Sequence, residues 1–285
     1  MRKQTINEAM ELKAEKRKKN KKRIKKLVFW VKFIFITAMF LSAVIFTCLS
    51  PLFDLKEIEV NGAGHYKNEI LEGYANIQMG ENGFREIGSS PLNVLLFRFG
   101  SAEASIKQNC PYIKDVRVKY AIPSKVVINV TERTAAASVP YLGTSLVIDM
   151  EGYVLEAVAA DKKQVLPMIK GLEFTDYVLG SQLDIKNRES LNGCMELMEA
   201  LKENDETDKN NIFALVDTLD ASDGLNIKMT LDARVVVNFG DLQDLNYKIS
   251  TTKTIYNKNI KKSEKGILDF TTGANPIFSP DSGGK

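Results

Sequence analysis

The clearest pattern along the chain is one unbroken apolar run, residues 27–49. Short segments follow it in which apolar and polar positions alternate or recur at helical spacing. The run is 23 residues long and Lys32 is its only charge. As a helix it spans roughly 35 Å, enough to cross a ~30 Å hydrocarbon core with some tilt. Beyond it, residues 55–60 end in apolar/charged alternation and predict a strand. Residues 61–64 form a turn, and Asn68 can cap a short helix with Ile70, Leu71 and Tyr74 on one side. Ser101 can cap a second helix, with Ala102 and Ile106 inward, ending before Pro111. Residues 116–118 and 126–130 predict two strands joined by a Pro-bearing connection. The order β-α-α-β-β over about eighty residues describes a small α+β domain with helices on one face of a three-stranded sheet.

The second half reads as a mixed, mainly antiparallel β domain. Residues 146–148 and 153–155 flank a turn containing Gly152, a hairpin signal. Residues 187–202 carry Leu191, Cys194, Met198 and Leu201 on one stripe, a helical pattern weakened by Gly193. Successive strands are expected at 212–216, 225–231 and 234–239. Asp241 is placed to cap a last helix, and residues 266–270 predict the final strand after it. Residues 271–285, rich in Gly, Pro, Ser and Thr, are expected to be a flexible tail.

Charge sharpens the picture of the N-terminus. The chain is only +3 overall, but twelve basic residues precede Leu27 against three acids, Glu8, Glu11 and Glu15. After residue 49 the balance reverses to 26 basic and 33 acidic residues. A run such as Lys16-Arg17-Lys18-Lys19 in isolation suits nucleic acid. Next to an apolar span it reads instead as a retention signal that holds the N-terminus in the cytoplasm. Lys32 lies near the basic edge and can snorkel back, with Trp30 anchoring at the same level. A cleaved signal peptide is the weaker reading. The run exceeds the about 7–15 residues of a signal core, and no small-x-small pair precedes Pro51. The expected product is a single-pass membrane protein with its bulk outside the cytoplasm and no role in nucleic-acid binding.

Candidate chemistry is sparse. His65 is the only histidine and lies in a predicted turn, so neither a triad nor a metal cluster is supported. Cys48 is inside the apolar run, no CxxC exists, and Cys110 and Cys194 fall in different predicted domains. Whether those two pair is left open. Ser250-Thr251-Thr252-Lys253 matches S-x-x-K, but its companions Ser-Asp-Asn and Lys-Thr-Gly are absent. The acidic run from Glu203 to Asp208 lacks the glycine and spacing of a calcium loop. No cofactor, metal site or catalytic residue is expected.

Several motifs, in order, carry a resemblance. Phe53-Asp54-Leu55-Lys56-Glu57-Ile58-Glu59-Val60-Asn61-Gly62 resembles the opening of a POTRA domain. Cys110-Pro111-Tyr112-Ile113-Lys114-Asp115-Val116-Arg117-Val118 resembles the entry to its second strand, and residues 123–133 its closing strand with the Glu132-Arg133 pair. Downstream stand an Asp149-x-x-Gly152 hairpin, a Leu166-Pro167-x-Ile169-x-Gly171 step and a Gly240-x-x-x-x-Leu245-x-x-Lys248 element. Basic tail, one span, then POTRA at once is similar to the FtsQ/DivIB family of bacterial division proteins. A departure is the segment 85–99, longer and more apolar than that layout leads one to expect.

The resemblance implies a division into a basic cytoplasmic tail (1–26), a transmembrane helix (27–49), a POTRA domain (53–132), a β domain (133–270) and the tail (271–285). It implies a non-enzymatic scaffold of the divisome at the division septum. Its partners would resemble FtsB/DivIC and FtsL and bind by strand addition at the C-terminal edge. By position in the family pattern, Ile267, Leu268, Asp269 and Phe270 form that edge, and Glu132 and Arg133 the interdomain joint. Two alternatives stay open: an envelope enzyme using Ser250 and Lys253, and a POTRA protein of a secretion or assembly route.

Overall fold

The computed structural model describes residues 2–281 apart from 89, 161–164, 208–210, 225 and 274, with side chains from Lys25 onward except Thr207. Most side chains of the basic tail, Asp208 of the acidic run, Leu225 of a predicted strand and residues 282–285 lie outside that description. One helix, α1 (Arg2–Cys48), carries both the tail and the apolar run. Its stretch Lys25–Cys48 is long and apolar enough to cross a membrane, and none of it is buried. That is what a lipid-facing anchor looks like.

The chain divides into two compact units: residues 1–59 with 77–100 and 118–127, and residues 60–76 with 101–117 and 128–285. A small sheet, with strands β1 (Glu57–Asn61), β2 (Ile113–Ala121) and β3 (Lys125–Glu132) in the order β1-β3-β2, contributes residues to both. Its helices are α2 (Asn68–Ala75), two short turns α3 (Gly83–Glu86) and α4 (Pro91–Leu95), and α5 (Gly100–Asn109). The expected β-α-α-β-β order is present, with α3 and α4 inserted between the two expected helices and α4 in the unusually apolar stretch. In β3, Val126, Ile128 and Val130 are buried and alternate with more exposed positions, the period-two signature of a sheet with one packed face. Gly62 sits at φ +84°, and a Cβ there would come within 2.2 Å of the Val130 carbonyl oxygen, so the turn after β1 needs glycine.

Among the described residues the large sheet has nine strands: β4 (Ala135–Tyr141), β5 (Thr144–Asp149), β6 (Val154–Ala159), β7 (Met168–Lys170), β8 (Val216–Asp220), β9 (Ile227–Leu231), β10 (Val235–Gly240), β11 (Gly266–Asp269) and β12 (Ile277–Pro280). Their order is β12-β11-β10-β9-β8-β7-β4-β5-β6. Pairs β4–β7, β7–β8 and β10–β11 are parallel and the others antiparallel. Helices α6 (Arg188–Thr207) and α7 (Leu245–Lys258) supply Leu191, Leu197, Leu201 and Ile249 to a core shared with Met229, Val237 and Leu268. Burying such side chains contributes about 1.5–3 kcal/mol each.

Four expectations are corrected. Strand β4 was not expected: Ala135-Ala136-Ala137-Ser138-Val139-Pro140-Tyr141 has little β propensity and a proline inside it. It forms because β5 and β7 flank it, through the Ser138 N–H to the Pro167 carbonyl at 2.9 Å and the ladder to β5. Residues 212–216 are mostly a 3-10 turn, Phe213–Leu215. There Asp205 Oδ2 accepts the Phe213 N–H at 2.7 Å and Asn211 Oδ1 the Ala214 N–H at 3.0 Å, so side chains take the amides a strand would use. Asp241 does not cap α7: the cap position is Asp244, at φ 52° and without a side-chain capping bond. The expected loose tail contains a strand, β12, so β11 is not the last strand of the sheet.

Candidate functional site

Two places bear on function: the ribbon β11–β12 at one end of the large sheet, and the cluster around Arg133. In the ribbon, β11 runs parallel to β10, with Val236 opposite Ile267 and Val237 opposite Leu268. The Gly266 N–H reaches the Arg234 carbonyl at 3.1 Å and the Phe270 N–H the Asn238 carbonyl at 3.0 Å. Even-numbered amides of β11 therefore face β10, and those of Ile267 and Asp269 face the other way. That other side is occupied. Ile267 lies opposite Ser279 and Asp269 opposite Ile277 in an antiparallel pair. The expectation that Ile267, Leu268, Asp269 and Phe270 form the free edge is thereby corrected: both sides of β11 are paired. Leu268 is fully buried, Ile267 is exposed on the opposite face, and Phe270 stacks on Phe239 with ring centroids 5.9 Å apart.

The outermost strand is β12. The Asp281 N–H donates to the Lys265 carbonyl at 2.8 Å. With this register, residues 277, 279 and 281 point their backbone groups at β11, and residues 276, 278 and 280 point away. Positions 276 and 280 are prolines. Among the described residues, this edge thus offers the carbonyls of Pro276, Phe278 and Pro280 but a single N–H, that of Phe278. Proline at a sheet edge limits indiscriminate pairing while leaving acceptors for a strand that brings donors. Gly266 allows the close approach: a Cβ there would come within 2.3 Å of the Ser279 carbonyl oxygen.

Glu132 and Arg133 end the small sheet and lead into β4. Glu132 Oε2 accepts the N–H groups of Gly64 (3.0 Å) and His65 (2.8 Å), and Oε1 that of Tyr66 (3.3 Å). One carboxylate thus gathers three consecutive amides of the 61–66 turn, an arrangement hydrogen bonding to charged groups favours. His65 stacks on Tyr112 with centroids 3.7 Å apart and takes no part in any acid–base pair described. The Arg133 N–H donates to the Tyr112 carbonyl at 2.6 Å. Its guanidinium, 7% exposed, meets Asp149 Oδ2 at 2.5 Å and Glu151 Oε2 at 2.9 Å and lies 3.5 Å over the Tyr153 ring. Lys114 reaches the other Glu151 oxygen at 2.5 Å. Bonds from Lys114 and then Arg133 hold the Glu151 carboxyl below its ordinary value.

The two downstream motifs now have physical reasons. Asp149 Oδ1 accepts the N–H groups of Glu151 (2.9 Å) and Tyr153 (2.8 Å) while Gly152 turns the chain at φ +80°. The Asp-x-x-Gly spacing thus builds both the hairpin and the seat for Arg133. Lys248 Nζ donates to the carbonyls of Phe239 (2.9 Å) and Asp241 (2.8 Å) and to Asp241 Oδ1 (2.9 Å), tying the end of β10 to α7.

Sequence reasoning singled out Glu132 and Arg133 but missed their partners. It also missed β12, whose signal was present: prolines four apart share one edge of a strand. In the S-x-x-K match, Lys253 is buried against Asp205 at 2.6 Å and donates to the Asn204 carbonyl at 3.1 Å. Those bonds commit it to joining α6 and α7. Among the described residues no group of three or more His, Cys, Asp or Glu is placed to hold a metal ion. Cys110 and Cys194 are free and buried, and burial, with Asp220 nearby, pushes the Cys194 thiol up to about 12.

Comparison with known proteins agrees with this architecture. Residues 53–133 match the family model of the POTRA domain, FtsQ-type. A protein named Cell division protein DivIB from Clostridium botulinum (strain Hall) is 28% identical over 264 residues, covering 92% of this chain and 93% of its own. The protein of that name from Clostridium tetani is 24% identical over 242 residues, covering 84% of each chain.

Proposed function

The chain belongs to the FtsQ/DivIB family of bacterial cell-division proteins, and from that premise we propose that it is a non-enzymatic scaffold of the divisome that captures its partners at the β11–β12 ribbon. In this reading α1 anchors it with the basic end in the cytoplasm, and the POTRA domain (53–132) and the β domain, expected at 133–270 and extended by β12 (Ile277–Pro280), stand on the outer side of the membrane at the septum. The partners are small single-pass coiled-coil proteins resembling FtsB/DivIC and FtsL. A partner segment adds as a strand beyond β12, giving main-chain bonds for affinity and side-chain contacts for specificity. The residues Ile267, Leu268, Asp269 and Phe270 act as the strand on which β12 is seated.

The observation that supports this most is the outer edge of β12, which ends the sheet and presents three carbonyls and one N–H. A partner strand would donate to Pro276, Phe278 and Pro280 and accept from Phe278. The test compares Phe278→Pro with Phe278→Ala in the full chain, held in lipid nanodiscs and titrated with the extracytoplasmic segment of the partner. Both variants lose the ring, and only proline loses the amide. Affinity for the proline variant at least about tenfold below the alanine variant, at equal melting temperature, supports the docking edge. Equal affinities refute it.

A further inference from the structure

We propose that the loop 90–97, which carries α4, is a second membrane contact that enters the bilayer interface where the C-terminal end of α1 emerges. No charged residue stands between Glu86 and Arg98. Leu92, Val94, Leu95, Leu96 and Phe97 are between 40% and 74% exposed. The loop is nonetheless built. Ser90 Oγ accepts the Asn93 N–H at 3.2 Å, and Pro91 stands in the first turn. Phe97 closes the turn at φ 53°, a left-handed conformation that a bulky residue adopts only where its surroundings impose it. The base is pinned by the Tyr120 N–H to the Phe97 carbonyl at 2.8 Å and the Phe99 N–H to the Val118 carbonyl at 2.9 Å. Five large apolar side chains, each at least 40% exposed on a pinned, strained loop, mark a contact with something apolar.

The position of the loop favours lipid. Asn82 Nδ2 donates to the carbonyls of Cys48 (3.0 Å) and Ser50 (3.2 Å), so the segment that leads into α3 and α4 is fastened to the end of α1 itself. Phe84 meets Phe53 edge-on at 5.2 Å and Phe97 at 6.2 Å. Phe97 is therefore two ring contacts from a residue that follows the last turn of α1 almost at once. Leu52, in the 3-10 turn between them in sequence, is also exposed. The polar layer of a bilayer is roughly 5–8 Å deep on each side, and interfacial segments bury their apolar face to a similar depth. An uncharged apolar tip tied to the exit of a membrane helix is placed to do the same, giving the folded region a second point of attachment.

This inference rests on α1 being a membrane anchor, so the experiment reads the two separately. Trp30 is the only tryptophan. The full wild-type chain and a Trp30→Phe/Leu95→Trp variant are reconstituted in palmitoyl-oleoyl phosphatidylglycerol vesicles, with and without lipid brominated in the upper acyl chain. Both tryptophans should lose emission to the bromine, with emission maxima to the blue of free tryptophan. Quenching of Trp30 without quenching at position 95, which stays open to aqueous iodide, overturns the loop contact and leaves the anchor standing. A tryptophan at 95 shielded from iodide yet unquenched by bromine means that protein covers the tip, a second copy if dilution removes the shielding, and also overturns it. Failure to quench Trp30 overturns the anchor and the loop contact together. A Trp30→Phe/Leu92→Trp variant repeats the reading from the preceding turn, should Leu95→Trp lower the melting temperature.

Discussion

At the Arg133 cluster the guanidinium is nearly buried and is met by two carboxylates, a tyrosine face and a neighbouring lysine that shares one of the acids. At the outer edge of β12 the backbone carbonyls at 276, 278 and 280 point away from the sheet, and two of three positions lack an N–H. The first region satisfies its polar groups internally and the second turns them outward, where the proposed partner strand would pair. The difference separates two jobs. A buried ion pair is weak evidence for net stability, but removing one partner strands the other, which makes it an effective way to fix geometry. An unpaired strand edge adds little to folding and much to recognition.

The largest expected effect breaks the closed side of this comparison. Arg133→Ala leaves Asp149 buried without its cation and should cost about 3–5 kcal/mol, read as a lower melting temperature of the full chain in detergent. An unchanged melt would mean that the cluster is dispensable. Next comes the seat of the edge. Gly266→Val places a branched side chain where a Cβ would already meet the Ser279 carbonyl oxygen at 2.3 Å. It should detach β12 at about 1–3 kcal/mol, with faster amide exchange at Ile267 and Asp269. Slow exchange at both amides would show that the ribbon tolerates the substitution. Deleting residues 275–285 removes β12 and should abolish partner capture. A truly loose tail would be dispensable.

The smallest effect is a pH dependence inside the ribbon. Burial pushes the Asp269 carboxyl up, but bonds from the Thr271 N–H and hydroxyl and from Asn238 outweigh it, so its value lies below the ordinary 3.8. A lowered folded-state value means that the stabilisation is present above the unfolded value and is lost as pH falls through the lowered one. Thr271→Val removes the hydroxyl bond at 2.7 Å. It should reduce stability slightly at neutral pH and flatten the acid-side loss in urea titrations below pH ~4. An acid limb identical to wild type would exclude Thr271 from that role.

What the sequence showed and hid follows from how local each signal is. The apolar span, the α2 and α5 positions, the α6 stripe and the β9–β10 hairpin rest on periodicity within one segment, and each was readable. Strand β4 exists only because β5 and β7 flank an alanine-rich run. β12 is four residues long with prolines at 276 and 280 that suggest a loop until the ladder to β11 is seen. At the candidate site, the family pattern singled out Arg133, whereas Asp149, Glu151 and Tyr153 converge on it from the next hairpin. The three amides gathered by Glu132 belong to a turn nearly seventy positions earlier. No spacing rule links residues so far apart.

The central claim is that a partner strand docks on β12, and residue-resolved hydrogen exchange of the full chain in nanodiscs tests it most directly. With the extracytoplasmic segment of the partner added, the Phe278 amide should slow strongly. The amides of Ile267 and Asp269, already bonded to β12, should change little. An unchanged Phe278 amide, with new protection confined to the small sheet of residues 57–132, would contradict the account.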